Sequence, residues 1–369
     1  MTKAAELAKM GEVLTNSQIG GRRNIVINGA MQVAQRGTQV TGNTSGGYVT
    51  VDRFAFSMVS REEAVFTIDQ ASDAPAGFTK SFKITTTTAE SAIDAADAFW
   101  VEQKLEGQDV TQLKNGSSDA EKVTLSFYVK SSVTGTFGLS LYKGDNTGRI
   151  INVTYSISAA NTWERKVITF DGDTSGGGID NDATEGFRVV WHLASGSDYD
   201  SVNSTSWANY STTNWAGGHA QDGVITTTNA TWQITGVQLE VGSQATPFEH
   251  RSFGEELALC ERYFERWNSS GDNESLISVG FVLNSGRVLA NYKYNTPKRV
   301  DPTGTNSGAS GFSCLRGGTW ISATSFVILG NKHTARIDFS GLNGFTGNDA
   351  AEVRAEPGAG KWFAFDAEL

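Results

Sequence analysis

Residues 123–157 read VTLSFYVKSSVTGTFGLSLYKGDNTGRIINVTYSI. Val123, Leu125, Phe127 and Val129 fall at every second position, as do Phe137, Leu139 and Leu141, and then Ile151, Val153, Tyr155 and Ile157. A period of two puts each set on one face of a strand. The glycines at Gly144 and Gly148 supply a turn. Three consecutive strands with one apolar face each decide the class. The chain is expected to be all-β, and a jelly-roll β-sandwich is the form that buries two such faces while limiting exposed edges.

The same alternation extends outward. Phe187, Val189, Trp191 and Leu193 form another strand face, with shorter runs at Ile25–Ile27, Val49–Phe56, Phe66–Ile68, Phe82–Ile84, Val101–Leu105 and Val167–Phe170. Trp232–Val241 changes face near Gly236, which predicts a β-bulge. Turn clusters at Gly42–Gly47, Asn115–Ser118 and Asp171–Asp182 separate the strands. The sandwich is expected over residues 24–250.

Ser252-Phe253-Gly254-Glu255 then reads as a capping box. It predicts a linker helix within residues 251–268. Phe253, Leu257, Cys260, Phe264 and Trp267 would form one stripe, at steps of 4, 3, 4 and 3. Such a stripe packs on a sheet or lines a symmetry axis, and both readings stay open. Alternation returns in residues 269–369 at Val279, Phe281 and Leu283, at Val288, Ala290, Tyr292 and Tyr294, and in Thr319–Leu329, Thr334–Phe339 and Trp362–Phe365. A smaller C-terminal β domain is expected there. Residues 1–23 contain a helix-forming stretch, 4–14, with Leu7, Met10 and Leu14 on one face. So short a helix is not stable alone, so it is expected to attach to a partner subunit or another domain.

Composition narrows the function. Among 369 residues, 10% are aromatic, and this separates the chain from disordered sequences. A net charge of −10 without a basic cluster makes it a poor binder of nucleic acid or anionic membranes. No run approaches the length of a membrane-spanning helix, and Met1–Lys9 lacks the apolar core of a signal peptide. Cys260 and Cys314 read as two buried thiols rather than a disulfide framework. The four histidines, at 192, 219, 250 and 333, include no i, i+4 pair. Neither a Gly-x-Ser-x-Gly elbow nor a phosphate loop occurs. No catalytic residue, metal or cofactor is therefore assigned. Asp171, Asp173, Asp180 and Asp182 share one loop, which reads either as a calcium site off the EF-hand pattern or as a solvated acidic loop.

The segment Tyr199–His219 sets Tyr199, Trp207, Tyr210 and Trp215 among short polar residues. Sugars offer apolar C–H faces rimmed by hydroxyls, and such a composition suits them, so these four are glycan-binding candidates. The alternative is a loop that packs its own aromatics or meets another subunit.

Three segments together carry a resemblance. They are residues 24–37, NIVINGAMQVAQRG, with Tyr48 and Val51-Asp52-Arg53-Phe54; residues 234–242, ITGVQLEVG, with 245–252, ATPFEHRS; and residues 255–264, EELALCERYF. The set resembles tail-fibre and appendage proteins of tailed bacteriophages, of the type found in phages of marine bacteria and cyanobacteria. Thr296-Pro297-Lys298-Arg299, Pro302-Thr303 and the end Asp366-Ala367-Glu368-Leu369 resemble that family's C-terminal module. The resemblance implies a virion structural protein, homotrimeric, with a jelly roll similar to carbohydrate-binding modules and assembled in the host cytoplasm. Its N-terminal segment would attach to other virion proteins, and it would adhere to a host surface glycan or protein. The three-fold axis would run near Leu7, Met10 and Leu14 or near the 251–268 stripe. No binding residue transfers by motif. Two alternatives stay open: a glycan depolymerase on a phage tail, and a free carbohydrate-binding protein.

Overall fold

The computed structural model describes Lys3 and residues 23–269, 275–358 and 360–369. The expected N-terminal helix, with Leu7, Met10 and Leu14, lies outside the described residues. The chain divides into two compact units, Met1–Glu256 with Leu369, and Leu257–Glu368.

The first unit holds twelve strands: β1 (Gln39–Asn43), β2 (Ala55–Val59), β3 (Val65–Ala71), β4 (Ser81–Thr88), β5 (Ala98–Glu106), β6 (Val123–Ser131), β7 (Gly135–Lys143), β8 (Arg149–Ile157), β9 (Glu164–Phe170), β10 (Glu185–Ser195), β11 (Ala208–Asn209) and β12 (Thr231–Val241). They form two six-stranded antiparallel sheets, ordered β1-β3-β4-β12-β6-β9 and β11-β8-β7-β10-β5-β2. The chain crosses between the sheets at β4 to β5, β5 to β6, β6 to β7, β8 to β9, β9 to β10 and β11 to β12, while β7 and β8 form a hairpin within one sheet. The first unit is thus the jelly-roll sandwich that the alternation predicts. Its core is built from the predicted positions: Leu125, Phe127 and Val129 from one sheet meet Phe137, Leu139, Leu141, Val189 and Trp191 from the other. Phe127 sets its ring edge against Tyr155 at 5.3 Å and Trp191 at 5.9 Å. Burying each such ring contributes about 1.5–3 kcal/mol.

Gly236 marks a bulge in β12. The register with β6 shifts between Thr235 and Gln238, and Gly236 has φ +61°. A Cβ there would lie 2.7 Å from the Phe78 ring, so glycine is required twice over.

The expected strand at Ile25–Ile27 does not form. Side chains replace the missing ladder. Asn24 Oδ1 accepts from the N–H groups of Val26 and Leu239, and Gln103 exchanges two hydrogen bonds of 2.8 Å with the backbone of Ile27. Glu249 caps the start of this segment, accepting from the N–H groups of Arg23 and Asn24. Asn28 (φ +59°) bonds the backbone of Val33 and Asp52.

The helix, α1, spans Phe253–Glu261 rather than extending to Trp267. Its start follows the capping box, with Glu255 Oε2 accepting from Ser252 N at 2.9 Å and Ser252 Oγ accepting from Glu255 N at 3.3 Å. Phe264 and Trp267 belong instead to a strand, β13 (Phe264–Asn268), paired with the last strand of the chain. Pairing overrides the helical period, and the two residues, three apart, face opposite sides of β13. The five-residue stripe is therefore not one helical face. Phe253 is exposed, Cys260 and Phe264 are buried, and Trp267 stacks on Phe363 at 4.9 Å.

The second unit continues with β14 (Ser275–Asn284), β15 (Arg287–Lys293), β16 (Thr303–Asn306), β17 (Phe312–Arg316), β18 (Thr319–Ser322), β19 (Ser325–Gly330), β20 (Thr334–Ser340), β21 (Ala350–Ala355) and β22 (Trp362–Asp366). A seven-stranded sheet, β18-β17-β21-β14-β15-β20-β19, accompanies a three-stranded one, β13-β22-β16. Within their shared core Lys298 is fully buried. Its ammonium meets Glu265 and the carbonyl of Glu261. Tyr292 donates to the same Glu265 at 2.9 Å. Burial pushes Lys298 down and Glu261 up from their ordinary values. Burial also pushes the Cys314 thiol up to about 12, which leaves it protonated and inert.

Removing one partner of a buried pair strands the other. Lys298→Met is expected to destabilise the second unit by about 3–5 kcal/mol, and the Lys298→Met/Glu265→Leu double variant by less than the single change. Urea unfolding followed by Trp267 and Trp362 fluorescence checks both.

Candidate functional site

Core residues of the second sheet occupy alternate positions, so the residues between them face out. Trp100 on β5, Tyr142 on β7 and Arg188 on β10 lie on that outer side, between buried Phe99 and Val101, Leu141 and Lys143, and Phe187 and Val189. The loop of residues 196–220 folds over them. It brings Tyr199, Tyr210 and Trp215 to the same place, and together with Val59 and Thr212 they line a cleft of about 290 Å³.

Trp215 is the pivot, only 5% exposed. Its ring stands edge-on to Trp100 (5.6 Å), His192 (5.7 Å), Tyr142 (5.8 Å) and Tyr210 (5.9 Å). A polar network beneath fixes it. Ser140 Oγ donates to the carbonyl of Trp215 at 2.9 Å and accepts from Asn152 Nδ2 at 2.9 Å. Asn152 also donates to the carbonyl of Asn214 and accepts from Ser204 N. Because the one Ser140 hydroxyl proton is committed to Trp215, His192 Nε2, 2.9 Å away, must be the donor in that pair. His192 is thus the neutral Nε2–H tautomer, and burial, reinforced by neighbouring His219, holds its pKa well below the usual 6.5.

Arg188 lies 5.5 Å from the Tyr142 ring centre and 5.6 Å from that of Trp215. Burial opposes its charge, but Glu102 (2.9 Å) and Glu185 (2.7 Å) outweigh that and keep it cationic. The cleft keeps unused hydrogen-bonding groups. The indole N–H of Trp100 is buried without a partner among the described residues. The hydroxyls of Tyr142, Tyr199, Tyr210 and Thr212 bond to no described residue. Burial raises the Tyr142 and Tyr210 phenols, so both are neutral donors at physiological pH. Aromatic walls with unpaired neutral donors and acceptors match a ligand that has apolar faces and many hydroxyls.

Of the four aromatics singled out in the sequence, three meet here and Trp207 does not. Its N–H donates to the Asp171 carbonyl at 2.7 Å, in a separate polar recess with Arg149, Asp173 and Ser175. The neighbouring acidic loop is spent on ion pairs and caps. Asp173 is buried against Arg149 (3.0 Å) and Lys143 (3.8 Å), Asp171 pairs with Lys122, and Asp182 accepts from Thr184. Among the described residues no three His, Cys, Asp or Glu side chains converge as metal ligands. The sequence reading missed Trp100, Tyr142 and Arg188, although their position out of phase with the core residues marks them as outward-facing.

A larger open groove, about 500 Å³, lies on the outer side of the first sheet around Phe78, Tyr128, Phe248 and His250. Its rings pack on one another, Phe78 on Phe248 and Phe248 on His250 both at 4.9 Å. None of its lining side chains is buried with an unpaired polar atom. It is the weaker candidate for a polar ligand.

No family model and no curated protein matches this chain. Among solved structures it is similar to the enzymatically active domain of tailspike protein 4 of bacteriophage CBA120, at 13% identity and a TM-score of 0.32, over 59% of this chain and 21% of that one. It is also similar to a putative sugar-binding protein from Bacteroides thetaiotaomicron (15%, TM-score 0.33, covering 60% of this chain and all of that one). A third is a family 11 carbohydrate-binding module from Clostridium thermocellum in complex with a mixed-linked tetrasaccharide (10%, TM-score 0.28, covering 55% and 100%). This chain thus spans about a fifth of the tailspike. Similarities this low in identity and TM-score say nothing of what this chain binds, which rests on its own cleft.

His192 gives the cleft a pH dependence. Above the ordinary histidine value both folded and unfolded forms are neutral there. Below it the unfolded chain takes up a proton that the fold refuses, so stability falls with acid. The melting temperature is expected to drop between pH 7.5 and 5.5, and His192→Asn to flatten that drop. Scanning calorimetry of both proteins reads the difference.

Proposed function

We propose that this chain is a non-catalytic adhesion protein of a phage virion, a short fibre or fibre-like appendage that binds a host-surface glycan in the cleft of Trp100, Tyr142, Arg188, Tyr199, Tyr210 and Trp215. The observation that carries the reading is the meeting of five aromatic rings with an unpaired buried indole N–H and free hydroxyls at one point. The jelly roll supplies a rigid sheet to hold them. Glu102 and Glu185 are both engaged by Arg188, which favours binding over hydrolysis.

The appendage role draws on the three sequence segments that resemble phage fibres. On that reading the chain assembles as a homotrimer in the host cytoplasm, attaches to the virion through its N-terminal segment, and adheres by several weak contacts acting together. A small cleft with neutral donors fits weak binding per copy and strong binding by the assembled particle.

Immobilised host polysaccharide tests it. Tyr210→Ala, at an exposed ring, is expected to weaken retention of the protein about tenfold, roughly 1.4 kcal/mol, with an unchanged melting temperature. Tyr142→Ala should weaken retention at least as much, with a lowered melting temperature because that ring also packs on Trp215 and Arg188. Undiminished binding by both variants overturns the cleft assignment. Release of reducing sugar ends by the wild-type protein overturns the non-catalytic role.

A further inference from the structure

Arg188 is the one charged side chain among the residues that line the cleft. The ladder sets it opposite Tyr142 on β7 and opposite Lys104 on β5. Two like charges thus face each other across one pair of strands, and carboxylates on the same side of the sheet meet both. Glu185 takes two bonds from the guanidinium, Nε to Oε1 and Nη2 to Oε2, each 2.9 Å. Glu102, only 3% exposed, takes a third from Nη1 at 2.9 Å. Its other oxygen accepts from Ser57 Oγ, which fixes it in place. Lys104 lies 3.8 Å from Glu185. Arg188 and Lys104 therefore stand against Glu102 and Glu185, and the four charges cancel.

That balance bears on what can enter. A carboxylate, sulfate or phosphate that leaves water for a cleft needs a counter-charge to offset its lost hydration. The guanidinium fork would seat such a group, but Glu185 already occupies it. The chain's net charge of −10 adds a long-range field of the same sign. A neutral sugar has no such need. It can use the Trp100 N–H, the phenols that burial keeps protonated, and the ring faces.

We propose that the cleft selects neutral sugars over acidic ones, and that Glu102 and Glu185 set this selectivity by cancelling the charge of Arg188. The proposal rests on the glycan reading of the cleft and names the class of glycan. In this arrangement Arg188 acts as a wall of the site, held 5.5 Å from the Tyr142 ring centre and 5.6 Å from that of Trp215, rather than as an anion receptor.

Three forms of one polymer test it on the full-length chain: neutral host-surface polysaccharide, the same polymer with its primary hydroxyls oxidised to carboxylates, and the methyl ester of the oxidised form. The wild-type protein is expected to hold the neutral form about tenfold more tightly than the oxidised one. Esterification, which removes the charge while adding bulk, should restore binding. Glu185→Gln leaves Arg188 and Lys104 against Glu102 alone, and should cut the preference about fivefold. Equal or tighter retention of the oxidised form, or a loss that the ester does not restore, overturns the selectivity and leaves the glycan reading standing. An unchanged preference in folded Glu185→Gln overturns the role of that carboxylate; the wild-type comparison decides the selectivity even where the variant does not fold. Retention of neither form, or retention that Tyr210→Ala leaves intact, overturns the glycan reading of the cleft and this proposal with it.

Discussion

Two neutral side chains, Ser140 and Asn152, hold the carbonyls of Asn214 and Trp215 to the outer side of the second sheet. The cleft depends on this anchorage. A loop of some twenty-five residues pays a large ordering entropy, and apolar contacts alone would leave the buried backbone groups unsatisfied. The network answers both demands. It orders the loop, and it sets Trp215 as a floor against which Trp100, Tyr142 and Tyr210 stand edge-on. Self-packing and ligand binding are thus not rival uses of these aromatics. Trp215 is given over to the fold, which leaves the Tyr210 ring exposed and the Trp100 N–H buried beside it with no partner among the described residues.

The segments that carry the family resemblance do scaffold work. Residues 24–37 and 234–252 interlock at one edge of the core, through Asn24 with Leu239, Gly29 with Val237, and Glu249 with the backbone of Arg23 and Asn24. A Cβ on Gly29 would lie 2.1 Å from the Val237 carbonyl, so the approach of the two segments excludes any side chain there. Lys298 and Arg299 act likewise in the second unit, Lys298 within the buried carboxylates and Arg299 on the carbonyls of Ala367 and Glu368. Motifs of this kind specify how a chain closes on itself, and they leave the ligand-facing positions free to vary.

The same distinction explains what the sequence made legible. Alternation is a one-body signal, and it located most of the sandwich strands, the strands beyond residue 269 and the Gly236 bulge, although of the run Val49–Phe56 only Ala55 and Phe56 lie in a strand, β2. It failed where the partner decides the conformation. Ile25–Ile27 alternates but is satisfied by Asn24 and Gln103 rather than by a ladder. Phe264 and Trp267 keep helical spacing yet pair with β22. The site was half legible for the same reason. Tyr199, Tyr210 and Trp215 stand out in a loop otherwise rich in small polar residues, whereas Trp100, Tyr142 and Arg188 come from strands far apart in sequence and meet only because β5, β10 and β7 are neighbours.

The Trp100 indole N–H is the most direct reporter of the proposed glycan, since it is buried in the cleft and has no partner among the described residues. Its NMR resonance, assigned by its loss in Trp100→Phe, can be followed while fragments of host surface polysaccharide are added. The account predicts a saturable shift of that resonance, carried with those of Tyr142 and Tyr210. Shifts confined to the groove of Phe78 and Phe248, or none at saturating fragment, would contradict it.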